Sequence, residues 1–266
     1  MLIAMAVMML PAIGDAAPRG VRSSGSLEPS CNRAEFHVLL DVGHSADDPG
    51  AISVRSVSEY EFNLNLARQI ERALLDAGFV KTTVQITQGR KQPSLTRRVA
   101  DANAAKADLL VSLHHDSVPT WLLQHMDEDG GPKRFSDRFK GHSIFVSHDN
   151  VDRAGSLQFA SMLGRQLASR GLQFTPHYTD KIMRARQREL LDKDVGVYRF
   201  DRLYVLRAAR MPAVLFEAGL IINPAEEEIL AGEARQKLVA GAMKDAVEKF
   251  CVWRASPEVA ASRRRR

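Results

Sequence analysis

Hydrophobic and polar positions divide the chain into short apolar runs that alternate with helical stretches. The first run, Val38 to Val42, ends abruptly at Gly43 and delivers His44 to a polar segment closing at Asp48-Pro49-Gly50. A strand that stops at a Gly-His pair is suited to hold an imidazole at the rim of a sheet, where ligands bind in open α/β folds. Residues 58–77 then show helical periodicity, with Leu64, Ala67, Ile70, Leu74 and Leu75 on one face and Gly78 as the closing glycine. Residues 80–87 alternate and are rich in β-branched side chains, which predicts a second strand. Residues 95–106 predict a helix of mixed face, and 107–113 a third, buried strand ending at His114.

Farther on the pattern is less even. Residues 119–141 have no apolar period and carry Asp127-Glu-Asp-Gly-Gly-Pro132, which predicts a long loop. Residues 143–147 predict a strand, and 156–169 a helix closed near Gly171. Residues 172–197 are ambiguous, with a helical piece around 181–191. Residues 203–207 suggest a short strand or its lead-in, 213–216 the last strand, and 225–250 one or two closing helices. Strands alternating with helices predict a single α/β domain over residues 33–253. Its central sheet is mostly parallel and mixed, flanked by helices on both faces.

Composition adds a boundary at each end. Residues 2–13 form an apolar run of the length of a signal-peptide core, too short to span a bilayer, with small residues at Gly14 and Ala16-Ala17. The basic residues usual before such a run are missing, because it begins directly after Met1. Residues 1–17 are therefore read as a signal peptide and 18–32 as a Pro/Gly/Ser-rich linker. Export to the periplasm or cell envelope follows, with no transmembrane span in the mature protein. The 266 residues carry a net charge of +5, much of it in the terminal Arg263 to Arg266. The stretch 254–266 is thus read as a solvated basic tail. Nucleic acid is not an expected partner, since no basic run is interleaved with aromatics.

Two cysteines, Cys31 and Cys251, flank the expected domain. Domain termini often lie close together, so an exported chain would pair them as a structural disulfide.

The candidate chemistry gathers at strand ends. His44, His114 and Glu217 each sit where a strand is predicted to end, and Glu59 starts the first helix. Two imidazoles and a carboxylate make a three-ligand catalytic metal set, and a second carboxylate can serve as general base. The pattern alone fits better a solvated loop His44, a Glu59 that complements the helix dipole, and a hydrogen-bonded core His114.

Four blocks in order decide between these readings. They are Asp41-Val42-Gly43-His44-Ser45 with Asp48-Pro49-Gly50-Ala51; Glu59-Tyr60-Glu61-Phe62-Asn63-Leu64; Leu95, Arg98, Ala102-Asn103 and Ala107 to His114; and Val205-Leu206-Arg207 with Met211 to Glu217, Gly219-Leu220 and Asn223. Over about residues 36–250 the chain resembles the zinc-dependent N-acetylmuramoyl-L-alanine amidases that act on the bacterial wall. The resemblance implies zinc bound by His44, Glu59 and His114, with Glu217 as the catalytic carboxylate. Anchoring on Asn63-Leu64 favours Glu59 over Glu61 as the ligand. His115 is set aside, because neighbouring strand residues point to opposite faces. Val42 and Ser45 replace the proline and glycine usual in the family, without removing a ligand.

The implied substrate and partner is peptidoglycan. The implied reaction is hydrolysis of the amide between N-acetylmuramic acid and the L-alanine of the stem peptide. The alternatives are another zinc peptidase or amidase of the cell wall, and a non-catalytic wall-binding module of the same fold. The chain is expected to act as a monomer, and a protein activator is left open. Residues 119–141 follow the strand bearing His114 and are expected beside the metal. A plain surface loop is the favoured role there, ahead of one in which Asp127, Glu128 and Asp129 reach over and block the metal.

Overall fold

Val38–Val42 (β1) is buried at all five positions, as befits a strand covered on both faces. The computed structural model describes residues 30–128 and 131–264. The proposed signal peptide and nearly all of the linker fall outside that range. The strands after β1 are β2 (Thr83–Gln85), β3 (Leu109–Asp116), β4 (Gln124–Glu128), β5 (Gly131–Phe135) and β6 (Ser143–Val146). They continue with β7 (Leu190–Asp192), β8 (Val197–Arg199) and β9 (Ala213–Leu220). The helices are α1 (Glu59–Asp76), α2 (Lys91–Ala105), α3 (Arg153–Ala168), α4 (Tyr204–Arg207), α5 (Pro224–Ala231), α6 (Glu233–Ala255) and α7 (Pro257–Arg264).

Seven strands form one sheet in the order β2-β1-β3-β9-β6-β8-β7. β2, β1, β3 and β9 run parallel, β6 turns antiparallel to β9, and β7 is antiparallel to β8. The mostly parallel, mixed sheet is the expected one.

Alternation along β1 sorts the two faces. Val38, Leu40 and Val42 pack with Leu66, Ile70 and Leu74 of α1, Phe159 and Leu163 of α3, and Met243, Val247 and Phe250 of α6. Leu39 faces the other way, into a layer with Val99 of α2 and Val205 and Leu206 of α4. Helices thus cover both faces.

Several local expectations need correction. The buried stripe of α1 is Phe62, Leu66, Ala67, Ile70 and Leu74, while Leu75 is 41% exposed and Leu64 only half-buried. Positions 62, 66, 70 and 74 are successive i+4 neighbours, so they form the ridge that meets the sheet. The strand expected over 80–87 shrinks to three residues, because Phe79 to Thr82 close a turn and β2 is an edge strand. Residues 203–207 form the helical turn α4 rather than a strand. Four residues are too few for either period to show.

The stretch 119–141 is not a bare loop. A 3-10 turn at Thr120–Leu122 leads into the antiparallel ribbon β4–β5, registered from Gln124↔Phe135 to Glu128↔Gly131. The ambiguous stretch 172–197 resolves into 3-10 segments at His177–Thr179 and Lys181–Arg186, followed by β7. Part of the expected basic tail is helical, as α7.

Cys31 and Cys251 are disulfide-bonded with Cα atoms 5.2 Å apart, as their flanking positions suggested. The same seam carries an Arg33–Glu248 ion pair and the edge-on rings of Phe36 and Phe250.

Candidate active site

β1 ends as Gly43 N donates to Leu113 O of β3 at 2.9 Å, and the next residue, His44, turns into the left-handed region at φ 65°. A non-glycine residue seldom holds that conformation unless its surroundings fix it. Here Arg98 of α2 does so. It donates to Asp41 Oδ1 at 2.8 Å, to Val42 O and to His44 O at 2.7 Å. Asp41 in turn accepts from Ser112 Oγ at 2.7 Å. From the other face, Asn63 Nδ2 donates to Gly43 O at 3.2 Å, and Asn63 Oδ1 meets His115 Nδ1 at 2.8 Å. His115 is therefore a buried neighbour that orients Asn63, pointing away from His114 as strand alternation requires. Burial holds its proton affinity down at about 3.

Glu59 is the first residue of α1. Ser58 caps that helix: its Oγ accepts from Glu61 N at 3.2 Å and donates to Glu61 Oε1 at 3.1 Å. Ser58 and Glu61 stand at the N-cap and N3 positions of a capping-box sequence, and the bond to the Ser58 hydroxyl keeps the Glu61 side chain at the helix terminus. Glu59 is left to face the strand ends.

Its Oε1 lies 2.9 Å from His114 Nδ1 and 3.2 Å from His44 Nε2, and its Oε2 accepts from Ala51 N at 3.1 Å. One ligand atom from each of His44, Glu59 and His114 can be chosen so that all three lie within 4.8 Å of one another. Burial would raise the Glu59 carboxyl, but hydrogen bonds and charge from His114 and His44 hold it well below the carboxylate range. Burial lowers His114, against the pull of Glu59.

Among the described residues no lysine or arginine pairs with Glu59. An anionic carboxylate between two imidazoles, with no fixed cation beside it, is a donor set that fits a divalent ion such as zinc. The walls are cut to that set. A Cβ on Gly43 would sit 2.5 Å from the His114 ring, and one on Gly50 would sit 2.6 Å from Glu59 Oε2 and 2.7 Å from His44 Cδ2. Gly50 also has φ +79°.

Glu217 lies on β9 directly across the ladder from His114. Its Oε2 is shielded from solvent and has no hydrogen-bond partner among the described residues. Burial, with the charges of Asp116 and Glu59, pushes its proton affinity well up, and Arg186 opposes them.

Behind it stands a group to which nothing in the sequence pattern points. Asp116 Oδ2 accepts from Tyr178 OH at 2.7 Å, and Arg186 lies 3.5 Å from Asp116 Oδ1. Burial raises Asp116 to about 6 despite the Arg186 charge. Tyr178 and Arg186 come from the 3-10 segments of the ambiguous stretch, so no period marks them. Arg98 and Asn63 fall within the recognised blocks, yet spacing alone assigns them no role. A cleft of about 450 Å³ is lined by His44, His114, Arg98, Glu217, Tyr178 and Arg186, among others. All four sequence-predicted site residues thus meet around one cleft, with Glu59 behind the two histidines.

Comparison with known proteins points to one family. Residues 38–249 match the Amidase_3 family, described as N-acetylmuramoyl-L-alanine amidase. A putative N-acetylmuramoyl-L-alanine amidase of Buchnera aphidicola is 24% identical over 226 residues, covering 82% of this chain and 97% of that protein. The amidase AmiC of Neisseria meningitidis is 26% identical over 232 residues, covering 80% of this chain. The match spans only 52% of AmiC, about half its length. The crystal structure of the amidase Ami1 from Mycobacterium smegmatis shares the fold, with a TM-score of 0.63 at 20% identity over 83% of this chain and 98% of that one. With the family matched across most of its length, the chain belongs to the N-acetylmuramoyl-L-alanine amidases of the Amidase_3 family.

Proposed function

We propose that the chain hydrolyses the amide joining the lactyl group of N-acetylmuramic acid to the L-alanine of the peptidoglycan stem peptide. In this reading His44, Glu59 and His114 hold zinc, and Glu217 is the general base. The observation that carries it is a His-Glu-His set and a second, shielded carboxylate meeting at one cleft. Zinc, when bound, supplies Lewis acidity toward the scissile carbonyl oxygen and toward water.

The protein's own groups do the rest. Glu217 accepts a proton from the attacking water and delivers it to the alanine nitrogen as the amide bond breaks. Burial raises its proton affinity, which suits a group that must take up a proton from water. Arg98 and Asn63 fix the backbone on either side of His44, so that the imidazole is in place before substrate arrives. Residues 1–17 and the disulfide both fit an exported chain working in the cell envelope.

The test is zinc-loaded protein incubated with purified peptidoglycan, with products read by mass spectrometry. Free stem peptides beginning at L-alanine are expected. Cleavage inside the peptide would make it a peptidase, and binding without products a wall-binding module. Chelation should abolish release, and added zinc should restore it. Glu217→Gln should keep the metal while losing roughly 10²–10⁴-fold in turnover.

A further inference from the structure

Arg188 stands in the wall of the catalytic cleft with no acidic partner among the described residues. Its guanidinium stacks on the Phe200 ring at 3.9 Å, and its Nη1 donates to the carbonyls of Ala185 at 3.0 Å and Gln187 at 2.8 Å. The plane of the fork is therefore fixed, while its shielded Nε has no hydrogen-bond partner among the described residues. The other guanidiniums of the cleft are committed, Arg98 to Asp41 and Arg186 to Asp116 and Tyr178. Burial disfavours the charge of Arg188; Tyr178 favours it, and Arg186 and Arg202 oppose it.

A stacked, oriented cation left uncompensated beside other cations is stabilised by an anion from outside the protein. A fixed guanidinium fork is suited to a carboxylate. The proposed substrate brings one close to the scissile bond. The second residue of the stem peptide is joined onward through its side-chain carboxyl, which leaves its α-carboxylate free. A cleft of about 450 Å³ has room for the lactyl group and the first residues of the peptide, so that carboxylate enters the same space as Glu217.

Resting on the amidase reading, we propose that Arg188 binds the free α-carboxylate of the second stem-peptide residue, and so makes the enzyme selective for unamidated stems. The bland alternative is that Arg188 only caps two carbonyls and covers Phe200.

Two synthetic muropeptides separate these roles, identical except that the second residue carries either the α-carboxylate or the α-carboxamide. Zinc-loaded wild type should favour the acid by roughly tenfold or more in kcat/KM. Arg188→Met should bring that ratio toward one, and Arg188→Lys should restore part of it. Loss of a packing residue alone would lower both substrates together and leave the ratio unmoved. Equal kcat/KM for the two substrates in wild type overturns the subsite while leaving the amidase reading standing. So does a preference that survives Arg188→Met. If Arg188→Met does not fold, the wild-type ratio and the lysine variant decide. Release of stem peptide from neither muropeptide nor whole peptidoglycan overturns the amidase reading and the subsite with it.

Discussion

Gly50 has a backbone that side chains rarely adopt, and it faces Glu59 and His44 at distances a methyl group cannot share. Gly50→Ala should therefore weaken zinc binding by roughly 10–100-fold, the usual effect of disturbing what orients metal ligands, as read by competition with a chelating dye. Glu61 offers the contrast. Its side chain accepts from the Ser58 hydroxyl at the helix N-terminus, so Glu61→Ala should cost about 1 kcal/mol or less of stability and leave zinc binding intact. Glu59→Ala should lose the metal. The sequence separated these two carboxylates only through the Asn63-Leu64 anchor; in the structure Glu59 meets both imidazoles, while Glu61 bonds to the Ser58 hydroxyl.

His142, buried at the entry to β6 and absent from the cleft lining, carries a separate expectation. Burial holds its folded-state proton affinity at about 4, below an unfolded value near 6.5. Between those values the unfolded chain binds more protons, so stability is full above pH 6.5 and falls as pH drops toward 4. The loss reaches roughly 3 kcal/mol. Denaturant midpoints across that range should show it, and His142→Phe should flatten the slope.

Among the elements, β1, β3 and β9 were readable because both of their faces are buried, which leaves a nearly unbroken apolar run in each. β3 runs two residues past His114, to Asp116. The ladder to β9 continues there through an irregularity that the sequence does not announce. The ribbon β4–β5 was not readable. It pairs only with itself, so Gln124–Glu128 and Gly131–Phe135 show no core-facing alternation. Among the described residues none of those lining the cleft of His44, His114 and Glu217 belongs to this ribbon. Replacing residues 126–133 by a short glycine turn should therefore leave cleavage of a small muropeptide within about twofold of wild type, an ordinary result for a surface segment. A marked rise in that rate would instead identify the ribbon as an inhibitory cover.

At the scale of the whole molecule, the fold class followed from strand–helix alternation, and Cys31 and Cys251 flank the domain in sequence as they join it in space. The bond closes a loop of 220 residues. Breaking it with Cys31→Ser should lower stability by up to roughly 5 kcal/mol by denaturant unfolding, while zinc binding stays intact, because the bond lies outside the ligand set. No helix among the described residues is long and apolar enough to cross a membrane.

The disulfide also changes what a single cut means. The bond makes the stretch from Cys31 to Cys251 a ring, and opening a ring once does not divide it. A protease site engineered between β4 and β5 would give a nicked protein that migrates as one species until reductant is added and then as two. The severed piece would hold His44, Glu59 and His114, and the other Glu217, still aligned across the β3–β9 ladder. An enzyme fastened in this way can lose a peptide bond and keep its chemistry in register.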